Sequence, residues 1–166
     1  MLFNHFLIFL DPESFPTQSH AKRKGADMSR CIIQIRNNYT ELERAIREIT
    51  KLLESKGIDP RVIRMVNLGL EEVITNILKY GYDDQQEHQI EIALLSTRHE
   101  LRLDVTDDGH EFNPLEHPEP DAAKPLEDRE PGGLGISFLR KLFDDVRYRR
   151  EAEQNTLILR KHLEGL

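Results

Sequence analysis

The chain has 166 residues, of which 38% are hydrophobic and 32% are charged, and its formal net charge is −7 at pH 7. This length fits one soluble domain with a substantial core, and the acidic excess argues against general binding to nucleic acid or to an anionic membrane. The chain has one cysteine, Cys31, which excludes an internal disulfide and a cysteine metal cluster.

The first 28 residues differ in composition from the rest of the chain. Met1 to Leu10 is apolar but too short to span a membrane, and residues 11–27 are polar with two prolines. We expect residues 1–28 to be a disordered or artefactual extension, with Met28 as an alternative start, and residues 29–166 to form the folded domain.

The folded part is expected to begin with a strand and a helix. The β-branched run at 31–35 predicts the strand. Asn37 or Asn38 is placed to cap a helix that runs to about Lys56, and Gly57 follows it as a stop signal.

The next helix carries the most informative residues of the chain. It is predicted from Pro60 to Gly81, with Asp59 as its cap. One apolar face follows from the spacing of Val62, Val66, Leu70, Val73, Ile74 and Ile77. A polar stripe lies beside it and consists of Glu72, Asn76 and Lys79. A carboxylate, an amide and an ammonium there can hold a metal ion and phosphates; the alternative is an ordinary solvated helix edge.

The remaining elements are four strands, one long loop and one helix. Alternating hydrophobicity predicts the strands at 88–95, 100–105, 145–150 and 156–163. Residues 114–131 are rich in proline and acidic residues, so we expect a long mobile loop. The helix follows that loop.

Two further loci stand out because of their glycines. Asp107-Asp108-Gly109 comes at the end of a predicted strand, and a glycine cluster at 132–135 opens the last helix. The first is a common turn sequence, and the second is often only a flexible joint. A glycine cluster at a helix start can also cradle phosphates with its backbone N–H groups.

Together these loci resemble the nucleotide motifs of the Bergerat-fold ATPases, the group that includes DNA gyrase and the sensor histidine kinases. Glu-Val-Ile-Thr-Asn at 72–76 is similar to the asparagine-containing box, Asp107-Asp108-Gly109 to the first glycine box, and Gly133-Leu134-Gly135 to the second. Asn-Ile-Leu-Lys-Tyr-Gly-Tyr at 76–82 and Phe-Asp-Asp-Val-Arg-Tyr at 143–148 most resemble the anti-sigma-factor serine/threonine kinases.

The resemblance covers about residues 30–162 and implies an α+β fold. That fold is a two-layer α/β sandwich, in which a mixed, mostly antiparallel sheet carries the helices on one face. Residues 29–166 would then form one histidine-kinase-like ATP-binding domain.

The resemblance also implies roles around ATP and Mg²⁺. Asn76 would ligate Mg²⁺ through its amide oxygen, which is a hard ligand for a hard cation. Lys79 would contact a phosphate. Asp107 would accept a hydrogen bond from the adenine amino group, which disfavours guanine, and Gly109 would let the backbone pass close to the base.

Further roles concern the phosphates, the base and the catalytic step. Gly133-Leu134-Gly135 would offer N–H groups to the β- and γ-phosphates, and Thr156 would lie near the adenine. Glu72 would be the catalytic base. A carboxylate with a pKa of about 4.3 does not deprotonate a serine in the ground state, but it can orient the hydroxyl and take the proton late.

The implied function is that of a cytoplasmic ATP-dependent protein serine/threonine kinase. It would phosphorylate a small antagonist (anti-anti-sigma-like) protein and bind a sigma factor or a similar regulator, as a homodimer and without nucleic acid or membrane. Glu111 stands where the first glycine box usually has a second glycine, and the loop is acidic. These departures favour the alternative, a non-catalytic, ATP-gated protein-binding module.

Overall fold

The structure is a computed structural model that describes residues 28–116 and 133–163, with only the backbone of Gly133 and Leu134. Of the expected extension, only Met28 is described. Of the expected loop, only Pro114–Glu116 is described, and it forms a short 3₁₀ helix.

The described strands form one five-stranded sheet in the order β1-β2-β3-β5-β4, and all four pairings are antiparallel. Their bounds are β1 Ser29–Arg36, β2 Gln89–Ser96, β3 Glu100–Asp107, β4 Asp145–Glu151 and β5 Gln154–His162. The predicted α+β two-layer fold is confirmed, and the described sheet is antiparallel throughout rather than mixed.

Three helices occur in the described residues: α1 Tyr39–Ser55, α2 Pro60–Tyr80 and α3 Gly133–Leu142. Asn38 caps α1 by accepting a hydrogen bond from the backbone N–H of Glu41, and Asp59 caps α2 in the same way. Gly57 has a φ of 71°, which suits a glycine after a helix. The bounds of α2 agree with the prediction.

The core lies between the helices and one face of the sheet. Leu70 and Ile74 of α2 are fully buried, as are Ile92 of β2 and Leu103 of β3. Burying one such side chain contributes roughly 1.5–3 kcal/mol, so this layer fixes where the polar edge of α2 lies. Among the described helices, none is long and apolar enough to cross a membrane.

Helices α2 and α3 approach each other closely at one point. A Cβ at Gly69 would lie 2.7 Å from Cζ of Phe143, the residue that follows α3. Phe143 is buried and its backbone N–H donates to the carbonyl of Leu139. Only a glycine leaves room for the ring at this spacing.

The hairpin between β4 and β5 differs from the prediction. We predicted a turn over 151–155, whereas the strands continue to Glu151 and resume at Gln154. The two intervening residues, Ala152 and Glu153, have φ of 48° and 61°. A two-residue turn of this kind usually carries Asn or Gly, so its sequence gave no signal. Asn155 therefore belongs to β5.

Candidate functional site

A pocket opens between α2, α3 and the ends of β3 and β5. Its polar residues include Asn76, Asp107 and Asn155, and its apolar walls include Ile77 and Leu157. The other residues that line it are Val73, Tyr80, Gly81, Val105, His110, Phe112, Pro114, Ile136, Leu139 and Tyr148. An apolar pocket with a few convergent polar groups is typical of a small-molecule site.

Asp107 is the buried acid of this pocket, with 6% of its surface exposed. Its Oδ1 accepts hydrogen bonds from the backbone N–H of Gly109 and from Nδ2 of Asn155, each at 2.9 Å. Burial raises the pKa of Asp107, and these two hydrogen bonds oppose the rise. No donor from the described residues reaches Oδ2, which leaves that oxygen as an acceptor for a ligand.

Gly109 brings the turn after β3 against the end of α2. A Cβ at Gly109 would lie 2.5 Å from the carbonyl oxygen of Gly81, and the N–H of His110 donates to the same oxygen at 2.9 Å. A side chain at Gly109 would therefore push the turn away from α2. We predicted that Gly109 would let the backbone pass close to the base. The contact with Gly81 is a second reason why this position requires a glycine.

Glu72 and Asn76 meet on α2 because they are one turn apart. Nδ2 of Asn76 donates to Oε1 of Glu72 at 2.8 Å, and both residues are half-buried. This contact commits the amide nitrogen of Asn76 to Glu72 and leaves its Oδ1 for a cation. Lys79, one turn further on, is exposed and does not line the pocket.

Gly135 in the first turn of α3 lies directly against Glu72. A Cβ at Gly135 would collide with the Glu72 carboxylate. Glu72 and Gly135 line a second depression next to the pocket, together with Ser137, Phe138 and Lys141. Gly133 and Leu134 form the start of the same helix.

The structure does not bring Thr156 to the pocket. Its side chain lies on the opposite face of the sheet, where its Oγ1 is 3.1 Å from Oγ1 of Thr106. In the β3–β5 register Thr156 pairs with Thr106, while Asn155 pairs with Asp107. Because side chains alternate along a strand, Asn155 lies beside Asp107 on the helix side, and it takes the place that we predicted for Thr156.

The residues around Asn155 are the ones that sequence reasoning missed. Tyr148 Oη and Arg150 Nη1 both donate to Oδ1 of Asn155 at 2.8 Å. The alternation of side chains along the strand was a usable signal. Leu159, Leu157 and Asn155 are two residues apart, so they share one face of the sheet, and all three are buried. The predicted start of the strand at Thr156 concealed it.

The sequence was compared with known protein families. Residues 35–161 match the family model described as the histidine kinase-like ATPase domain. This match spans most of the chain and includes all the residues that line the pocket. The chain is a member of this family. A histidine kinase-like ATPase domain implies ATP binding, and this pocket is the candidate site for it.

Several relatives of this ATPase domain carry kinase names. A serine/threonine-protein kinase BtrW of Bordetella bronchiseptica is 29% identical over 97 residues, which is 58% of this chain and 68% of the relative. A serine-protein kinase RsbW of Halalkalibacterium halodurans is 28% identical, over 54% of this chain and 57% of the relative. An anti-sigma F factor of Clostridium botulinum is 24% identical, over 63% and 74% respectively.

A solved structure supports the fold. The crystal structure of the RsbU and RsbW domains of a Mycobacterium tuberculosis protein matches with a TM-score of 0.59 and 16% sequence identity. The match covers 82% of this chain but only 32% of that longer chain. At this identity the similarity establishes the fold alone.

Proposed function

We propose that the chain is an ATP-dependent protein serine/threonine kinase of the anti-sigma-factor type. Its relatives named as serine-protein kinases support this assignment. The observation that carries it is the position of Glu72, whose carboxylate lies against Gly135 and accepts a hydrogen bond from Asn76. This places an acid beside the segment that would bind the phosphates.

Glu72 would act on the hydroxyl of the protein substrate. The hydrogen bond from Asn76 holds one carboxylate oxygen, so the other can orient the hydroxyl toward the γ-phosphate. A serine hydroxyl is far too weak an acid to lose its proton early, so Glu72 would accept it late in a loose transition state. The backbone N–H groups of Gly133 and Gly135, at the start of α3, would bind phosphate oxygens.

The described residues fit a Mg²⁺ ion that is held mainly by the nucleotide. They contain no group of three or more His, Cys, Asp or Glu side chains that could hold a metal. Mg²⁺ in such sites is usually bound by one or two protein oxygens together with phosphates and water. Oδ1 of Asn76 is the oxygen available here, and the ion would neutralise phosphate charge. Lys79 would add a further positive charge.

The partners proposed for this chain follow from the names of its relatives. One is named an anti-sigma F factor, and others are named serine-protein kinases. We infer a small antagonist protein as the phosphate acceptor and a sigma factor or similar regulator as the bound target. A homodimer in the cytoplasm completes the proposal.

Transfer of labelled phosphate tests the kinase assignment. The protein is incubated with γ-labelled Mg-ATP and the candidate antagonist proteins encoded by neighbouring genes, and label is measured on each. Transfer to one of them is expected, and Glu72→Gln is expected to reduce it by about 10²- to 10⁴-fold. Glutamine still accepts the hydrogen bond from Asn76, so the dissociation constant for ATP should change little.

One outcome would contradict the catalytic role of Glu72, and another would contradict the kinase assignment. If wild type and Glu72→Gln transfer equal amounts of label, Glu72 takes no part in the chemical step. Tight ATP binding with no transfer to any candidate at saturating Mg-ATP would favour the ATP-gated binding module instead. Glu71→Gln is the matched control, because Glu71 is the exposed neighbour of Glu72 on α2.

A further inference from the structure

Asn155 is the most extensively hydrogen-bonded side chain next to the proposed base site, and no role has been assigned to it. Its amide nitrogen donates to Oδ1 of Asp107 at 2.9 Å, to the carbonyl of Gly109 at 3.3 Å and to the carbonyl of His110 at 2.8 Å. Its amide oxygen accepts from Tyr148 and Arg150. The side chain is buried, with 6% of its surface exposed.

We propose that Asn155, itself oriented by Tyr148 and Arg150, is a positioning residue that fixes the Asp107 carboxylate and the turn after it for recognition of adenine. This inference rests on the ATP site described above. Asn155 acts through Asp107, so it is not itself a catalytic residue.

The partners of Asn155 leave only one orientation of its amide. Three oxygens surround Nδ2, and two donors, the Tyr148 hydroxyl and the Arg150 guanidinium, face Oδ1. A flipped amide would set its NH₂ group against both donors and its oxygen against three acceptors. The amide therefore has a fixed direction, which a packing role would not require.

This orientation determines which oxygen of Asp107 meets the ligand. Nδ2 of Asn155 and the N–H of Gly109 both bind Oδ1, so Oδ2 is the oxygen left for an incoming amino group. Arg150 Nη1 also donates to the Gly109 carbonyl at 3.2 Å. The carboxylate and the turn that follows it are thus held by the hairpin of β4 and β5.

The neighbouring residue on β5 provides a matched control. Thr156 is equally buried, at 5% exposed, and pairs with Thr106 on the other face of the sheet. Its hydroxyl contacts only Thr106 among the described hydrogen bonds. A substitution at Thr156 therefore disturbs the same strand without touching Asp107.

The test uses three variants of the full chain: Asn155→Asp, Asn155→Ala and Thr156→Ala. Asn155→Asp keeps the shape of the side chain and the oxygen that accepts from Tyr148 and Arg150. It replaces the donor NH₂ group with a second carboxylate oxygen, which adds a negative charge beside Asp107. Calorimetry measures the dissociation constants of Mg-ATP and Mg-GTP at several pH values. Circular dichroism and the melting temperature show which variants are folded.

We expect both Asn155 variants to bind ATP at least about 10-fold more weakly, with a reduced preference for ATP over GTP. Thr156→Ala should match wild type in both respects. In Asn155→Ala the pH at which ATP affinity is half lost should move upward, because the hydrogen bond that opposes protonation of Asp107 is gone. A role in stability alone would change neither the preference nor that pH.

Each outcome bears on the inference. If folded Asn155→Asp and Asn155→Ala bind ATP with the wild-type affinity, selectivity and pH profile, the positioning role is wrong while the ATP site stands. If Thr156→Ala is impaired equally, the effect belongs to the strand and the inference is also wrong. If wild type binds neither nucleotide, the ATP site itself fails, and the inference fails with it.

Discussion

The two ends of the proposed ATP site are built differently, a base end in the pocket and a phosphate end along the edge of α2 beside it. At the base end, Asp107, Gly109 and Asn155 are buried and bound to one another through several hydrogen bonds. At the phosphate end, Glu72 and Asn76 share one hydrogen bond, and Lys79 is exposed.

This contrast indicates that the base end is more fully preorganised for a ligand than the phosphate end. The base end has its acceptor oriented before a ligand arrives, which lowers the free-energy cost of binding. The phosphate end presents oxygens, an ammonium and helix N–H groups that need phosphates and a cation to complete them. Substitutions at the base end should therefore change nucleotide binding, and those of Glu72 and Gly135 at the phosphate end should mainly change transfer.

The largest effect on nucleotide binding is expected from Asp107→Asn. Its side-chain oxygen can still accept from Gly109 and Asn155, but an NH₂ group would then face the adenine amino group. We expect ATP affinity to fall about 100-fold and the preference to move toward GTP. Calorimetry measures both. Asp108→Asn is the control, since Asp108 is exposed, and equal effects in the two variants would contradict the assignment.

The same variant tests the sign of the pKa shift. Burial raises the pKa of Asp107 in the folded protein, so its ionised form costs stability above the pKa of the unfolded chain. Asp107→Asn should therefore melt at the wild-type temperature or above it at pH 7. In wild type, ATP affinity should fall as the pH decreases through the raised pKa.

The next effect concerns Gly135→Ala at the phosphate end. The added methyl group would collide with the Glu72 carboxylate, which must rotate away. We expect phosphate transfer to fall about 10- to 100-fold, because a displaced catalytic group loses its alignment, while ATP affinity falls much less. Ser137→Ala in the same depression should transfer normally. A larger loss of binding than of transfer would reverse the contrast between the two ends.

A smaller effect is expected from Lys79→Gln. An exposed ammonium contributes only about 1 kcal/mol to holding a phosphate, so the KM for ATP should rise about 5-fold with kcat unchanged. The difference from wild type should shrink as salt is added. Lys56→Gln, beyond the end of α1, is the control. If the KM is unchanged at low salt, Lys79 does not contact the phosphates.

The smallest effect concerns His88, which joins the segment after α2 to the turn after β3. Its ring nitrogens lie 2.9 Å from Asp84 and 3.2 Å from Asp108, and these carboxylates raise the pKa of His88. A pKa that is raised in the folded state adds stability at low pH, which is lost as the pH rises through it. Urea unfolding should show that the free energy of unfolding falls by less than about 1 kcal/mol as the pH rises through this pKa. The decrease should be absent in His88→Gln.

The sequence predicted the fold and the bounds of α2 well. Periodicity located α2 with its cap at Asp59, because an amphipathic helix has a strong and local pattern. The glycine motifs pointed to the pocket only in combination. Asp107 and Gly109 could be named because a resemblance assigned them roles.

The sequence did not predict how β5 reaches Asp107. Ala152 and Glu153 form a tight turn without the usual residues, so the strand was started two residues too late and Asn155 was left in the turn. The resemblance pointed to Thr156, but neighbouring residues of a strand face opposite sides of the sheet, so it is Asn155 that lies beside Asp107. Gly135 leaves room for the Glu72 carboxylate where α3 lies close to α2. The distance between two helices is not encoded in a local sequence pattern, so this contact was not predicted.

The contact of Gly69 with Phe143 anchors α3 to α2 next to one end of the helix. It lies beyond the C-terminal end of α3, whereas Gly133 and Gly135 are at the other end. A helix of ten residues is about 15 Å long, so a tilt of about 10° around the ring would move its first turn by about 2.6 Å. A small rotation at this apolar contact would therefore displace the first turn of α3 far enough to make or break a contact with a bound phosphate.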